Sequence, residues 1–107
     1  MRNVKRVSLN REEVIKKLNE ELPVLRKRYG VVRIGFFGSF SRESATEDSD
    51  IDFVVEYEGD SGLTFVELAD YLERVFQRKV DLLTPGGIES IRRKDVREDI
   101  EKSIVYV

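Results

Sequence analysis

The 107 residues include no cysteine and no histidine. Disulfides, thiol nucleophiles, zinc-finger ligand sets and histidine general bases are excluded together. Any metal bound here must be a hard cation held by oxygen. Net charge is also scarce: 19 Lys and Arg against 21 Asp and Glu leave -2. That balance argues against direct binding to a nucleic-acid backbone, although a local basic patch remains compatible with it. No apolar run approaches the roughly 20 residues that cross a bilayer. The opening MRNVKRVSLN lacks the apolar centre of a signal peptide. The expected location is the cytoplasm, with no membrane partner.

What is present suits one soluble domain over residues 1–107, with a single core and a densely charged surface. Apolar residues make up 40% and charged residues 37%. Residues 10–29 carry Val14, Leu18, Leu22, Leu25 and Tyr29 at intervals of three and four, which predicts a helix. Asn10 and Glu13 have capping-box spacing, and Gly30 is a plausible stop. Pro23 predicts a kink or two consecutive helices. Residues 31–37 and 50–57 read as strands, joined by a polar turn at 38–49 with room for a short helical segment. A loop at 58–62 leads to a helix over 64–77, with Thr64 and Glu67 as its cap. A third strand covers 79–84, and Pro85–Gly87 breaks the chain. The rest reads as helical, with a cap at Asp95 and Glu98 and with Val96 and Ile100 facing inward. The order helix, strand, strand, helix, strand, helix predicts a small α/β (α+β) domain, a short sheet with helices packed on it.

The stretch GSFSRESATEDSDID, residues 38–52, departs from this simple pattern. Strand side chains alternate, so Asp50 and Asp52 should share a face with attachment points ~7 Å apart. Ile51, Phe53 and Val55 then enter the core. Two adjacent carboxylates repel and resist desolvation. A divalent ion such as Mg²⁺ between them would relieve both costs. Asp81 faces away from the apolar Val80 and Leu82. If its strand lies beside the second, three carboxylates share one face and can hold two metal ions ~3.5–4 Å apart, the arrangement that clamps an in-line displacement at phosphorus. Gly38 allows close backbone approach to a phosphate, and the Ser39 hydroxyl and following N–H groups can bond it. Arg42 can add charge-assisted hydrogen bonds to a triphosphate. A lone D-x-D also serves as a cap or a solvated edge. The full set of turn, arginine, D-x-D and third aspartate is harder to reduce to that.

Gly38, Ser39, Arg42, Ser49, Asp50 and Asp52 resemble the GSxxR…SDxD signature of the DNA polymerase β-like nucleotidyltransferase superfamily. The length and the KVDLL strand are similar to its minimal nucleotidyltransferase branch, over roughly residues 10–105. The resemblance implies a small nucleotidyltransferase fold with a short mixed sheet. It implies that Asp50 and Asp52 bind two Mg²⁺ ions, and that Asp81 completes the triad and helps activate an acceptor hydroxyl. Gly38 and Ser39 would hold the triphosphate, with Arg42 and Ser49 in the same motif. The reaction implied is transfer of AMP from ATP to a hydroxyl. The implied partner is a HEPN-domain toxin, modified on a tyrosine, so that the chain acts as its antitoxin. The family pattern has glycine after the arginine, where this chain has Glu43. Pointed inward, Glu43 would repel nucleotide; pointed outward, it would change little.

Two other functions fit the same residues. One is a binding module that masks the toxin without chemistry. The other is a transferase acting on a small molecule, although such enzymes usually carry a further helical domain. So short a chain is expected to need a partner or a second copy to complete its site. Arg92, Arg93, Lys94 and Arg97 read as a solvated helix surface ahead of an RNA or acidic-partner contact. Tyr57 and Tyr71 read as packing residues ahead of base-stacking ones. The IVYV end either packs on the domain or joins an interface.

Overall fold

A computed structural model describes residues 9–59 and 62–107. The opening segment before Leu9 and the middle of the 58–62 loop lie outside the described residues. Helix α1 (Arg11–Tyr29) begins at the capping box: the Asn10 side chain accepts from the Glu13 N–H at 2.9 Å, and Glu13 accepts from the Asn10 N–H at 3.1 Å. It ends at Gly30, with φ 68°. The division expected at Pro23 does not occur, and α1 is one helix. Pro23 removes the N–H that would reach the Asn19 carbonyl, but both residues are exposed, so water can serve that carbonyl.

Strands β1 (Val31–Phe37) and β2 (Ile51–Tyr57) pair antiparallel. Between them the chain makes turns, with no helical segment. Helix α2 (Gly62–Phe76) starts two residues before the expected start, so Thr64 lies inside it rather than at its cap. Such a crossover is what a parallel neighbour requires, and β3 (Val80–Leu83) pairs parallel with β2. Pro85 opens a short helix α3 (Pro85–Glu89) instead of merely breaking the chain. The Thr84 hydroxyl caps α3 by accepting from the Gly87 N–H at 3.1 Å, and proline suits a first helical position. Helix α4 (Lys94–Ser103) follows, and β4 (Val105–Tyr106) pairs antiparallel with β1. The four strands run in the order β3-β2-β1-β4, a mixed sheet of the expected class.

Alternation divides the apolar residues between two faces. Ile34, Phe36, Ile51, Phe53 and Val55 meet α1 and α2 in the main core. Phe37 and Val54 face the other way, where Ile88, Leu83, Ile91, Ile100 and Ile104 form a second cluster with α3 and α4. Ile100 points inward as expected, whereas Val96 is 38% exposed. The cap expected at Asp95 is absent: Arg93 precedes the helix, and its guanidinium takes up the Asp95 carboxylate at 2.7 Å. Arg97 donates to the Ile91 carbonyl at 3.0 Å. Arg93 and Arg97 are thus bonded within this segment, while Arg92 and Lys94 are exposed. Tyr71 hydrogen-bonds Glu21 and packs on Tyr29, and Tyr57 packs on Phe65. The IVYV tail packs on the domain, and the Val107 N–H donates to the Ile34 carbonyl at 3.0 Å.

Close approach of β4 demands glycine at position 35. A Cβ there would sit 2.6 Å from the Val105 carbonyl oxygen and 2.8 Å from Tyr106 Cδ1. Because the nearest atom is backbone, β4 would have to move. Gly35→Ala should lower unfolding stability in urea by about 1–3 kcal/mol and speed amide exchange at Val107.

Candidate active site

The parallel register of β2 and β3 sets Asp52 opposite Asp81. Partners in register point to the same side, so the two carboxyl groups stand together on the α3–α4 side of the sheet. Burial pushes the Asp52 carboxyl up to about 6; the Asp81 charge, a hydrogen bond with Asp81 and the more distant Asp50 charge push the same way. Asp52 is half-buried while Asp81 and Asp50 are exposed.

Gly38 lies directly against this pair. It has φ 75°, and a Cβ there would run into the Asp52 carboxylate. Glycine therefore serves twice, for the left-handed backbone and for the space. The turn after it is tied to α4. The Gly38 N–H donates to Ser103 Oγ at 3.4 Å, and the Ser41 hydroxyl donates to the Ser103 carbonyl. Arg42 donates to the Asp99 carboxylate at 2.5 Å and to the Asp99 carbonyl at 3.1 Å.

The sequence-based site is therefore only partly assembled. Gly38, Asp52 and Asp81 come together, with Ser39 next in the turn. Asp50 stands just before β2 rather than in it, at the rim of a polar basin of about 470 Å³ that Glu73, Gln77 and Lys79 also line. Three carboxylates sharing one sheet face were expected; Asp52 and Asp81 stand in register, and the Asp50 charge also acts on Asp52. Among the described residues no group of three forms a ready metal cage. The donors still fit a hard divalent ion. They are all oxygen, and a cation would offset the burial and the repulsion that raise Asp52. Arg42 is occupied by Asp99. Ser49 serves its own turn, its hydroxyl accepting from the Thr46 N–H at 2.8 Å.

Glu43 has φ 61° and an exposed side chain. It lies beside Leu9, Arg11 and Phe40, toward the start of α1. The left-handed backbone gives a physical reason for glycine at this position. The sequence reading passes over Arg78, although its guanidinium reaches the carbonyls of Thr46, Glu47 and Ser49. An arginine at the end of a helix carries no motif that would have marked it.

The fold and this acidic pair define a nucleotidyltransferase, and the nucleotidyltransferase domain family matches residues 12–107, so the chain belongs to that family. It is 38% identical over 100 residues to the protein adenylyltransferase MntA of Thermococcus cleftensis, spanning 92% of this chain and 97% of that one. A solved minimal nucleotidyltransferase superposes with a TM-score of 0.69 at 28% identity, over 91% of this chain and 95% of the other. A crystal structure of an MntA toxin–antitoxin pair gives a TM-score of 0.55 at 25% identity, over 94% of this chain and 72% of that one.

Two outcomes follow from the geometry. Glu43→Gly relieves about 1–2 kcal/mol of left-handed strain and costs roughly 0.5–1 kcal/mol in chain entropy, so the variant should be modestly more stable in urea. Asp52 gives a pH signature. Its folded carboxyl holds a proton more tightly than the unfolded one, so its contribution is complete below the unfolded value of 3.8 and is lost as pH rises through about 6. Without metal, Asp52→Asn should gain about 1 kcal/mol over the native chain between pH 4 and 7.5, a figure discounted for solvent screening of a half-buried group. Paired urea titrations at the two pH values test this.

Proposed function

We propose that this chain is a single-domain, metal-dependent protein adenylyltransferase. In this reading it transfers AMP from ATP to a tyrosine of a HEPN-domain toxin in the cytoplasm and thereby acts as antitoxin. The observation that carries the reading is the in-register Asp52–Asp81 pair with Gly38 against it. The kinship to MntA supports protein as the acceptor, and the likeness to an MntA toxin–antitoxin pair supports the partner.

Asp50, Asp52 and Asp81 would hold Mg²⁺. When bound, the metal supplies positive charge against the phosphates and toward the acceptor oxygen. The turn at Gly38 and Ser39 lets the triphosphate approach the backbone closely. Asp81, exposed and paired in register with Asp52, would accept the phenolic proton. The acceptor oxygen forms a bond to the α-phosphorus, the bond to pyrophosphate breaks, and pyrophosphate leaves. Asp50 and Asp81 open to solvent, and a docked partner would cover them.

One observation favours a second reading, a binding module without chemistry: Arg42 is already bound by Asp99. Mass spectrometry separates the two. A HEPN-domain toxin is incubated with this chain, ATP and Mg²⁺, in parallel with Asp50→Ala/Asp52→Ala. Adenylyl transfer predicts a gain of one or more AMP units that the double variant loses. A stable complex with no mass change would transfer the case to the binding module.

A further inference from the structure

We infer that Arg78 is a positioning residue for the acidic site and acts through Asp50. This rests on the reading above, in which Asp50 is a metal ligand. The Arg78 Nη1 donates to the carbonyls of Thr46, Glu47 and Ser49 at 3.3, 2.8 and 2.9 Å. Its guanidinium carbon lies 5.2 Å from the ring centre of Phe40, which is 1% exposed. Its own N–H donates to the Glu73 carbonyl at 3.3 Å, which fixes it to the end of α2. The carbonyl of the next residue, Lys79, accepts from the Ile51 N–H at 3.1 Å. Both neighbours of Asp50 are thus held from the junction of α2 and β3: Ser49 by the Arg78 side chain, Ile51 by the Lys79 backbone.

The local sequence makes that grip necessary. Residues 46–50, TEDSD, place three acids in a segment without regular structure. The Arg78 guanidinium, bonded to the carbonyls of Thr46, Glu47 and Ser49, opposes opening of that segment. A planar guanidinium can address several carbonyls while lying near an aromatic ring. All three bonds come from Nη1, and a lysine ammonium, about one bond shorter, stops where the guanidinium carbon stands and falls short of those carbonyls. Arg78 therefore fixes where the Asp50 carboxylate stands relative to Asp52 through the backbone beside it.

The test is Mn²⁺ binding to the full chain, with Mn²⁺ standing in for Mg²⁺, followed by electron paramagnetic resonance below the melting temperature of every variant. Native protein is compared with Asp50→Asn, Arg78→Lys and Arg78→Ala. Both Arg78 variants should bind Mn²⁺ roughly 10- to 100-fold more weakly, as loss of a residue supporting a metal ligand does. Added guanidinium should restore part of the affinity in Arg78→Ala and leave the native protein unchanged. Should the alanine variant not fold, the lysine variant decides alone. Lower melting temperatures with native Mn²⁺ affinity would mean that Arg78 only stabilises the fold, which overturns the inference while Asp50→Asn sensitivity keeps the metal reading intact. Native Mn²⁺ binding that is absent, or indifferent to Asp50→Asn, overturns both.

Discussion

Two carboxyl groups held side by side on neighbouring strands are the constraint around which this molecule is arranged. Asp52 and Asp81 meet because β2 and β3 are parallel and in register. The arrangement opposes stability: burial and the neighbouring charge raise Asp52 well above an ordinary carboxylate. It persists because the opposite face of the same strands is fully apolar. Ile51, Phe53 and Val55 are 0% exposed, and slipping β2 by one residue would bring Asp52 and Glu56 into the main core in their place. The core therefore fixes the register, and the register imposes the repulsion. A site strained in this way is ready for a cation, which agrees with membership of a nucleotidyltransferase family.

The turn over the acidic pair is held from two sides. Helix α4 grips its first half through Ser103 and Asp99, which engage Gly38, Ser41 and Arg42. Arg78 grips its second half through three carbonyls. Without these anchors, residues 38–50 would be a mobile acidic loop with one left-handed glutamate. The second apolar cluster, centred on Phe37, Val54 and Ile88, keeps α3 and α4 seated so that the α4 anchor stays in place. Packing on the same side of the sheet thus reaches the site through the backbone of one turn.

The elements with strong local signals were legible. The α1 period and capping box, the β-branched strands, and Asp52 facing away from Ile51 and Phe53 all follow from interactions within a few residues. Where an expectation failed, water or another group close in sequence had decided the outcome. Pro23 did not divide α1, because its orphaned carbonyl is open to water. Asp95 did not cap α4, because Arg93 claimed its carboxylate. Pro85 began a helix, because Thr84 was there to cap it.

By itself the sequence determined the donor chemistry. With no histidine or cysteine, only oxygen ligands exist, and the spacing of Gly38, Asp50 and Asp52 identifies the family. Tertiary structure alone decided which of those groups meet. It brought Asp81 to Asp52 across 29 residues, left Asp50 at the rim, gave Arg42 to Asp99, and enlisted Arg78. The physical reason is range. Alternation, capping and helical period act between neighbours, whereas strand register and cross-chain hydrogen bonds depend on how distant segments fill a common core.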